Sequence, residues 1–474
     1  MNDERPDDGV RAPALTVVEA AALVRTGAVS ARELVARSLE LAARDERLNA
    51  FVHLDADGAL AAADAVDAAR RRREALAPLA GVPFGVKDLE DCAGMPTTRG
   101  SRWFAQAPPA VRDDIHVARL RQAGAIPIGK TAAPEFGAWG YTASPLLGVT
   151  RNPWAPTRTP GGSSGGTAAA VAAGIVPFGT ASDGGGSIRG PGSCCGLPGL
   201  KPTYGRVPTF GVTRMAQNAV VFALATTVTD TALLFDVTAG PDPRDRTSLP
   251  ASGIRYADVI EHLDVAGLRA TWSADLGFVV VDPEVAAITA RAAERLIAAA
   301  DLRTTGLGVG LRDYIRVYVA MEGADQFVDL PDGWADRLDE LDPLVVDGWR
   351  ATSAQTLPAF ASVERARRVL ELQVAELFEH TDVLLTPTNA CTPFAAEGPM
   401  PTEIAGRPCH GGHAALLTML ANIVNLPSIT LPAGFSHDGL PVGLMVTAPR
   451  HREDLCLRLA RIWEQVAPWP RVVS

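Results

Sequence analysis

Apolar positions along this chain recur in two rhythms, helical periods and short apolar runs, and their alternation predicts an α/β fold. Thr16 with Glu19, and Ser30 with Glu33, form capping boxes, so each pair opens a helix. A third helix is expected over 56–74, after which the run 81–87 reads as a short buried strand ending on Lys87. Helix and strand then alternate: helices over 114–123, 165–173, 229–239 and 283–300, strands over 125–128, 175–179 and 268–272. Further on come a helix at 358–379, strands at 382–386, near Ile429 and at 442–446, and a closing helix at 452–466. A largely buried, mostly mixed central sheet covered by helices on both faces follows from this order. The stretch of about 300–360 is less patterned and reads as a variable cap on the substrate side.

Composition narrows the class. In 474 residues, 47% of them hydrophobic, there is ample apolar surface for a large core. Lys and Arg total 44 against 54 Asp and Glu, and the net charge of −10 is spread along the chain, which disfavours nucleic acid as a partner. No apolar run approaches the ~18 residues of a membrane span, and the polar start suggests no signal peptide. Six cysteines, two of them adjacent, do not form a disulfide framework, so a reduced, cytoplasmic enzyme is expected.

The densest chemical signal lies at 160–167, Pro-Gly-Gly-Ser-Ser-Gly-Gly-Thr, and at 183–189, Asp-Gly-Gly-Gly-Ser-Ile-Arg. Glycine is conformationally costly, and a glycine run before a serine lets bare amides converge on one point, as an oxyanion requires. Tight turns closing off helices are the simpler reading, but two such clusters, each with a serine, shift the balance toward chemistry. Residues 161–165 also satisfy G-x-S-x-G, yet the preceding 152–160 is proline-broken loop and cannot be the strand that motif needs. Cys409, His410 and His413 lack an acidic fourth ligand at motif spacing, so no metal is expected there. A lysine can activate a serine if burial favours its neutral form. Lys87 stands where a strand could bury it, although an ordinary snorkelling or ion-paired lysine fits the local sequence equally well.

Together these residues resemble the amidase signature family over nearly the whole chain. The element Gly81 to Asp88 resembles its lysine motif, Pro160 to Gly166 its first serine motif, and Asp183 to Arg189 its nucleophile motif. The two serines lie 187 − 163 = 24 residues apart, as in the family. The resemblance implies one domain over 1–474: N-terminal helices at 15–75, a signature core at 80–240, the variable segment at about 300–360, and a C-terminal part at 380–466. It implies that Ser187 is the nucleophile, that Ser163, after a cis peptide bond, relays protons, and that Lys87 is the base. The amides of Gly184, Gly185, Gly186 and Ser187 would hold the oxyanion, and Asp183 with Arg189 would brace the loop. The resemblance implies no metal or organic cofactor; a small-molecule amide and water are the expected reactants, without nucleic acid or membrane, and a homodimer is allowed.

Departures from the family concern specificity. Pro191 is followed by Gly192 where relatives have Ala, and Gly190 replaces a bulky residue, which could open space for a larger acyl group. Gln217 and Asn218 stand where relatives show Ser-Leu-Asp, so they are the candidate substrate contacts, and a pocket without that carboxylate should favour neutral substrates. Two functions fit the resemblance: a free-standing amide hydrolase, acting also on esters or carbamates, and the glutaminase subunit of a tRNA-dependent amidotransferase. Gly184 and Gly190, where such subunits usually carry Thr and Gln, favour the former.

Overall fold

A computed structural model describes residues 15–45, 47–209, 217–327, 330 and 333–473. Both capping boxes close. Thr16 accepts from the Glu19 amide at the head of helix Val17–Thr26, and Ser30 accepts from the Glu33 amide at the head of Ala31–Arg44. Asp55 caps Ala56–Arg71, and Asp282 with Pro283 opens Pro283–Ala299.

Among the described residues the main strands form two mixed sheets, of five and six strands, beside two small two-stranded ones. The first runs in the order Phe51–Leu54, Ile126–Thr131, Pro83–Lys87, Phe178–Asp183, Val220–Ala225. Its three middle strands pair in parallel and its two outer ones antiparallel. Every residue of those middle strands is buried, which is why they read as apolar runs. Phe84 and Phe178 stack across neighbouring strands, with ring centroids 5.0 Å apart. The second runs Arg303–Thr304, Arg269–Trp272, Val383–Pro387, Pro441–Thr447, Ser428–Phe435, Gly199–Lys201.

One strand lies later than the sequence predicts. The expected 175–179 is occupied at its start by the turn that closes helix Gly165–Ala172, where the Ile175 amide returns to the Ala170 carbonyl. The strand begins after Pro177 and continues through Thr180 and Ser182 to Asp183. Those hydroxyls hid it from an apolar reading, because they face inward and bond other buried groups: Thr180 accepts from the Lys87 amide, and Ser182 from the Lys87 side chain. The segment read as less patterned carries helices Ile315–Gln326 and Pro343–Ser353. No helix among the described residues is long and apolar enough to cross a membrane.

Beside the lysine-bearing strand lies a buried ion pair, Glu90 Oε2 to His116 Nε2 at 3.1 Å. Burial opposes charge on both partners. The Glu90 carboxylate nonetheless holds the His116 imidazole above its ordinary value, and the imidazole holds Glu90 below its own. The pair therefore stabilises the fold most fully between the ordinary values, 4.5 and 6.5. That contribution fades as pH falls through the lowered Glu90 value or rises through the raised His116 value. His116→Leu strands a buried carboxylate and is expected to cost about 3–5 kcal/mol. Equilibrium unfolding measures this; an unfolding free energy equal to the parent's would remove the pair from the stability of the fold.

Candidate active site

Strand Pro83–Lys87 delivers Lys87 into the interior, where it is fully buried. Its Nζ lies 2.8 Å from Ser163 Oγ, 2.8 Å from Ser164 Oγ and 2.9 Å from Ser182 Oγ. Three hydroxyls around one nitrogen suit either protonation state. An ammonium donates to all three, whereas a neutral amine donates to two and accepts from the third. Ser163 and Ser164 reach that point because the chain packs tightly there. A Cβ on Gly162 would lie 2.5 Å from the Trp139 carbonyl oxygen, so only glycine admits this approach. The Gly162–Ser163 peptide is cis.

Ser187 follows strand Phe178–Asp183 through the three glycines and precedes the short helix Arg189–Cys195. Asp183 organises this loop. Its carboxylate accepts from the Gly186 amide at 2.7 Å, from the Ile188 amide at 3.1 Å, and from Arg189 Nη2 at 2.9 Å and Nε at 3.0 Å. Burial works against its charge, but the Arg189 guanidinium outweighs it and holds the carboxyl well below the usual range. The Gly186 amide, expected as an oxyanion donor, is thus already engaged by Asp183.

A late helix, Leu416–Ile423, clamps the loop from the other side. Thr418 Oγ1 donates to the Gly185 carbonyl at 2.6 Å, and Asn422 Nδ2 donates to Asp183 Oδ1 at 2.9 Å. Asn422 Oδ1 and the Thr418 carbonyl both accept from Arg189. Sequence reading missed both residues, yet a signal existed: they are two polar side chains four apart on one face of an apolar helix.

Ser187 opens onto a cavity of about 820 Å³. Its wall is largely apolar, including Trp139, Tyr318, Val345, Phe394, Met400 and Met419. Two thiols also line it, Cys194 and Cys391, and burial pushes each up to about 12, so neither is a thiolate nucleophile at neutral pH. The candidate substrate contacts fare differently. Gly190 lines the cavity, and a Cβ there would meet Asn389 Oδ1 at 3.5 Å, so Asn389 bounds the space beside Ser187. Gln217 is exposed, with a left-handed φ of 51°, and does not line the cavity; the neighbouring 210–216 lies outside the described residues. Asn218 is buried behind the wall, its Nδ2 3.4 Å from both the Gly184 carbonyl and Glu322 Oε2. Glu322 does line the cavity, so a carboxylate stands where the sequence suggested none. Of the two histidines considered as metal ligands, His413 has its Nε2 occupied by the Val280 amide at 2.8 Å.

The Amidase family model matches residues 33–457. The A-type subunit of glutamyl-tRNA(Gln) amidotransferase from Synechococcus sp. (strain RCC307) is 36% identical, over 94% of this chain and 96% of that protein. The acylamidase of Rhodococcus erythropolis is 35% identical, over 96% of each. Among solved structures, a bacterial aryl acylamidase of the amidase signature family superposes with a TM-score of 0.89 at 26% identity, covering 96% of this chain and 97% of the other.

Proposed function

The chain belongs to the amidase family, whose members are hydrolases of C–N bonds, and from that premise we propose that it cleaves small-molecule carboxylic amides through a Ser187 acyl-enzyme. One observation carries the reading: the fully buried Lys87 Nζ lies 2.8 Å from Ser163 Oγ, and Gly162, the residue before Ser163, lines the same cavity as Ser187. Neutral Lys87 takes the Ser163 proton as Ser163 takes that of Ser187, whose oxygen attacks the carbonyl carbon. The resulting oxyanion is held by backbone amides of Gly184, Gly185 and Ser187, because Asp183 occupies that of Gly186. Collapse breaks the C–N bond, and the proton returns from Lys87 through Ser163 to the leaving nitrogen. Water then attacks the ester by the same relay, releasing the acid. Burial of the lysine among hydroxyls supports this role over a snorkelling one.

The test is a hydrolysis panel of amides, anilides, esters, carbamates and glutamine, with Ser187→Ala as the blank. Turnover of amides or anilides that vanishes in Ser187→Ala is expected; turnover that survives it would remove Ser187. The likeness to the amidotransferase favours a second reading, in which the same site hydrolyses glutamine within a complex. Glutamine as the preferred panel member, with a stably copurifying protein, would establish that reading instead. Gly184 and Gly190 favour the free hydrolase.

A further inference from the structure

Glu322 projects from helix Ile315–Gln326 into the cavity wall. Its carboxylate sits against the loop that delivers Ser187: a Cβ on Gly184 would lie 3.3 Å from Oε2 and 3.9 Å from Oε1. Among the described residues its hydrogen-bond partner is Asn218 Nδ2, at a long 3.4 Å, and no ion pair to it is seen. Two basic residues share the cavity, but neither forms an ion pair with this carboxylate. Arg316 is exposed, six residues and about 9 Å of helix axis away. His410 is held below its ordinary value by burial, hence neutral at neutral pH.

A carboxylate in an apolar wall is tolerable while water reaches it. Once a ligand fills the cavity, that water leaves, and an uncompensated charge is costly. A neutral ligand therefore binds against a penalty that a ligand carrying its own counter-charge avoids. We propose that Glu322 forms a subsite for a cationic nitrogen, so that the preferred substrates are amides bearing an ammonium-type group close to the scissile carbonyl. This rests on the reading of Ser187 as the nucleophile of an amide hydrolase. It replaces the preference for neutral substrates suggested by Gln217 and Asn218, because the carboxylate lost at that stretch is supplied from another helix. Asn218 becomes a positioning residue, tying Glu322 to the Gly184 carbonyl.

Matched p-nitroanilides test this: β-alanyl against butanoyl, and 4-aminobutanoyl against pentanoyl. Each pair differs by an ammonium in place of a methyl group. The parent is expected to favour the ammonium member by about 10-fold in kcat/KM, the scale of one charge-assisted hydrogen bond. Glu322→Gln should erase most of that ratio through KM, and Glu322→Asp should restore part of it. A ratio unchanged in Glu322→Gln, or a parent that favours the methyl member, overturns the subsite. Binding of β-alanyl and butanoyl p-nitroanilides to the Ser187→Ala protein separates the two readings. Ammonium-selective binding that Glu322→Gln abolishes supports the subsite even if the parent turns over neither compound. That absence of turnover counts against the hydrolase reading alone, and binding without selectivity overturns the subsite.

Discussion

Lys87→Ala is expected to lower amide turnover by about 10²–10⁴-fold, the usual contribution of a positioned general base. Lys87 is wholly buried, so truncation also opens a hole and leaves three hydroxyls without their common partner. A loss in Lys87→Ala alone could therefore reflect a disturbed interior. Lys87→Met separates the causes, since it keeps the volume and removes only the nitrogen. The expected result is a Met variant that unfolds near the parent's midpoint, retains KM and loses kcat. Small primary amines added to Lys87→Ala should restore part of the rate by occupying the vacated space, an effect that no purely structural role provides. Near-parental kcat in a folded Lys87→Met protein would take the lysine out of the mechanism.

The parts of the site that could be read from sequence are those encoded locally. Lys87, Ser163 and the Asp183 to Arg189 loop each sit in a short stretch whose glycines and hydroxyls have no place in an ordinary strand or helix. What could not be read comes from far along the chain. Thr418 and Asn422 reach the loop across 233 and 239 residues of sequence, and Glu322 arrives on a helix that periodicity did not reveal. The reason is physical. Helix Ile315–Gln326 buries Val317 and Met321 in the core, while Ile315, Tyr318 and Val319 line the cavity. A helix with two apolar surfaces has no single stripe to detect. The strand after Pro177 escaped for the opposite reason, since its inward positions carry the hydroxyls that surround Lys87 and pack beside it.

Asp183→Ala is expected to be the most damaging single change in the catalytic loop, and the geometry says why. Arg189 would remain fully buried with its guanidinium deprived of the carboxylate that holds two of its nitrogens, a loss of about 3–5 kcal/mol. The amides of Gly186 and Ile188, which flank Ser187, would lose their acceptor at the same time. An unsatisfied buried amide costs roughly 1–3 kcal/mol, so the loop is expected to abandon the conformation that presents the nucleophile. Arg189→Met alone should be destabilising on the same scale, because it takes the guanidinium from the buried Asp183 charge and leaves Asn422, the loop amides and the field of Lys201 to hold it. The double variant Asp183→Asn with Arg189→Met discriminates a stabilising ion pair from a loop organiser. It removes both charges and keeps an oxygen that can still accept one amide. If Asp183 serves only to neutralise Arg189, the double variant should recover both stability and activity. The loop geometry predicts a split instead: an unfolding midpoint that rises from that of either single variant, with kcat still depressed, since one oxygen cannot hold both amides. Recovery of kcat to the parental value in the double variant would reduce Asp183 to a counter-ion.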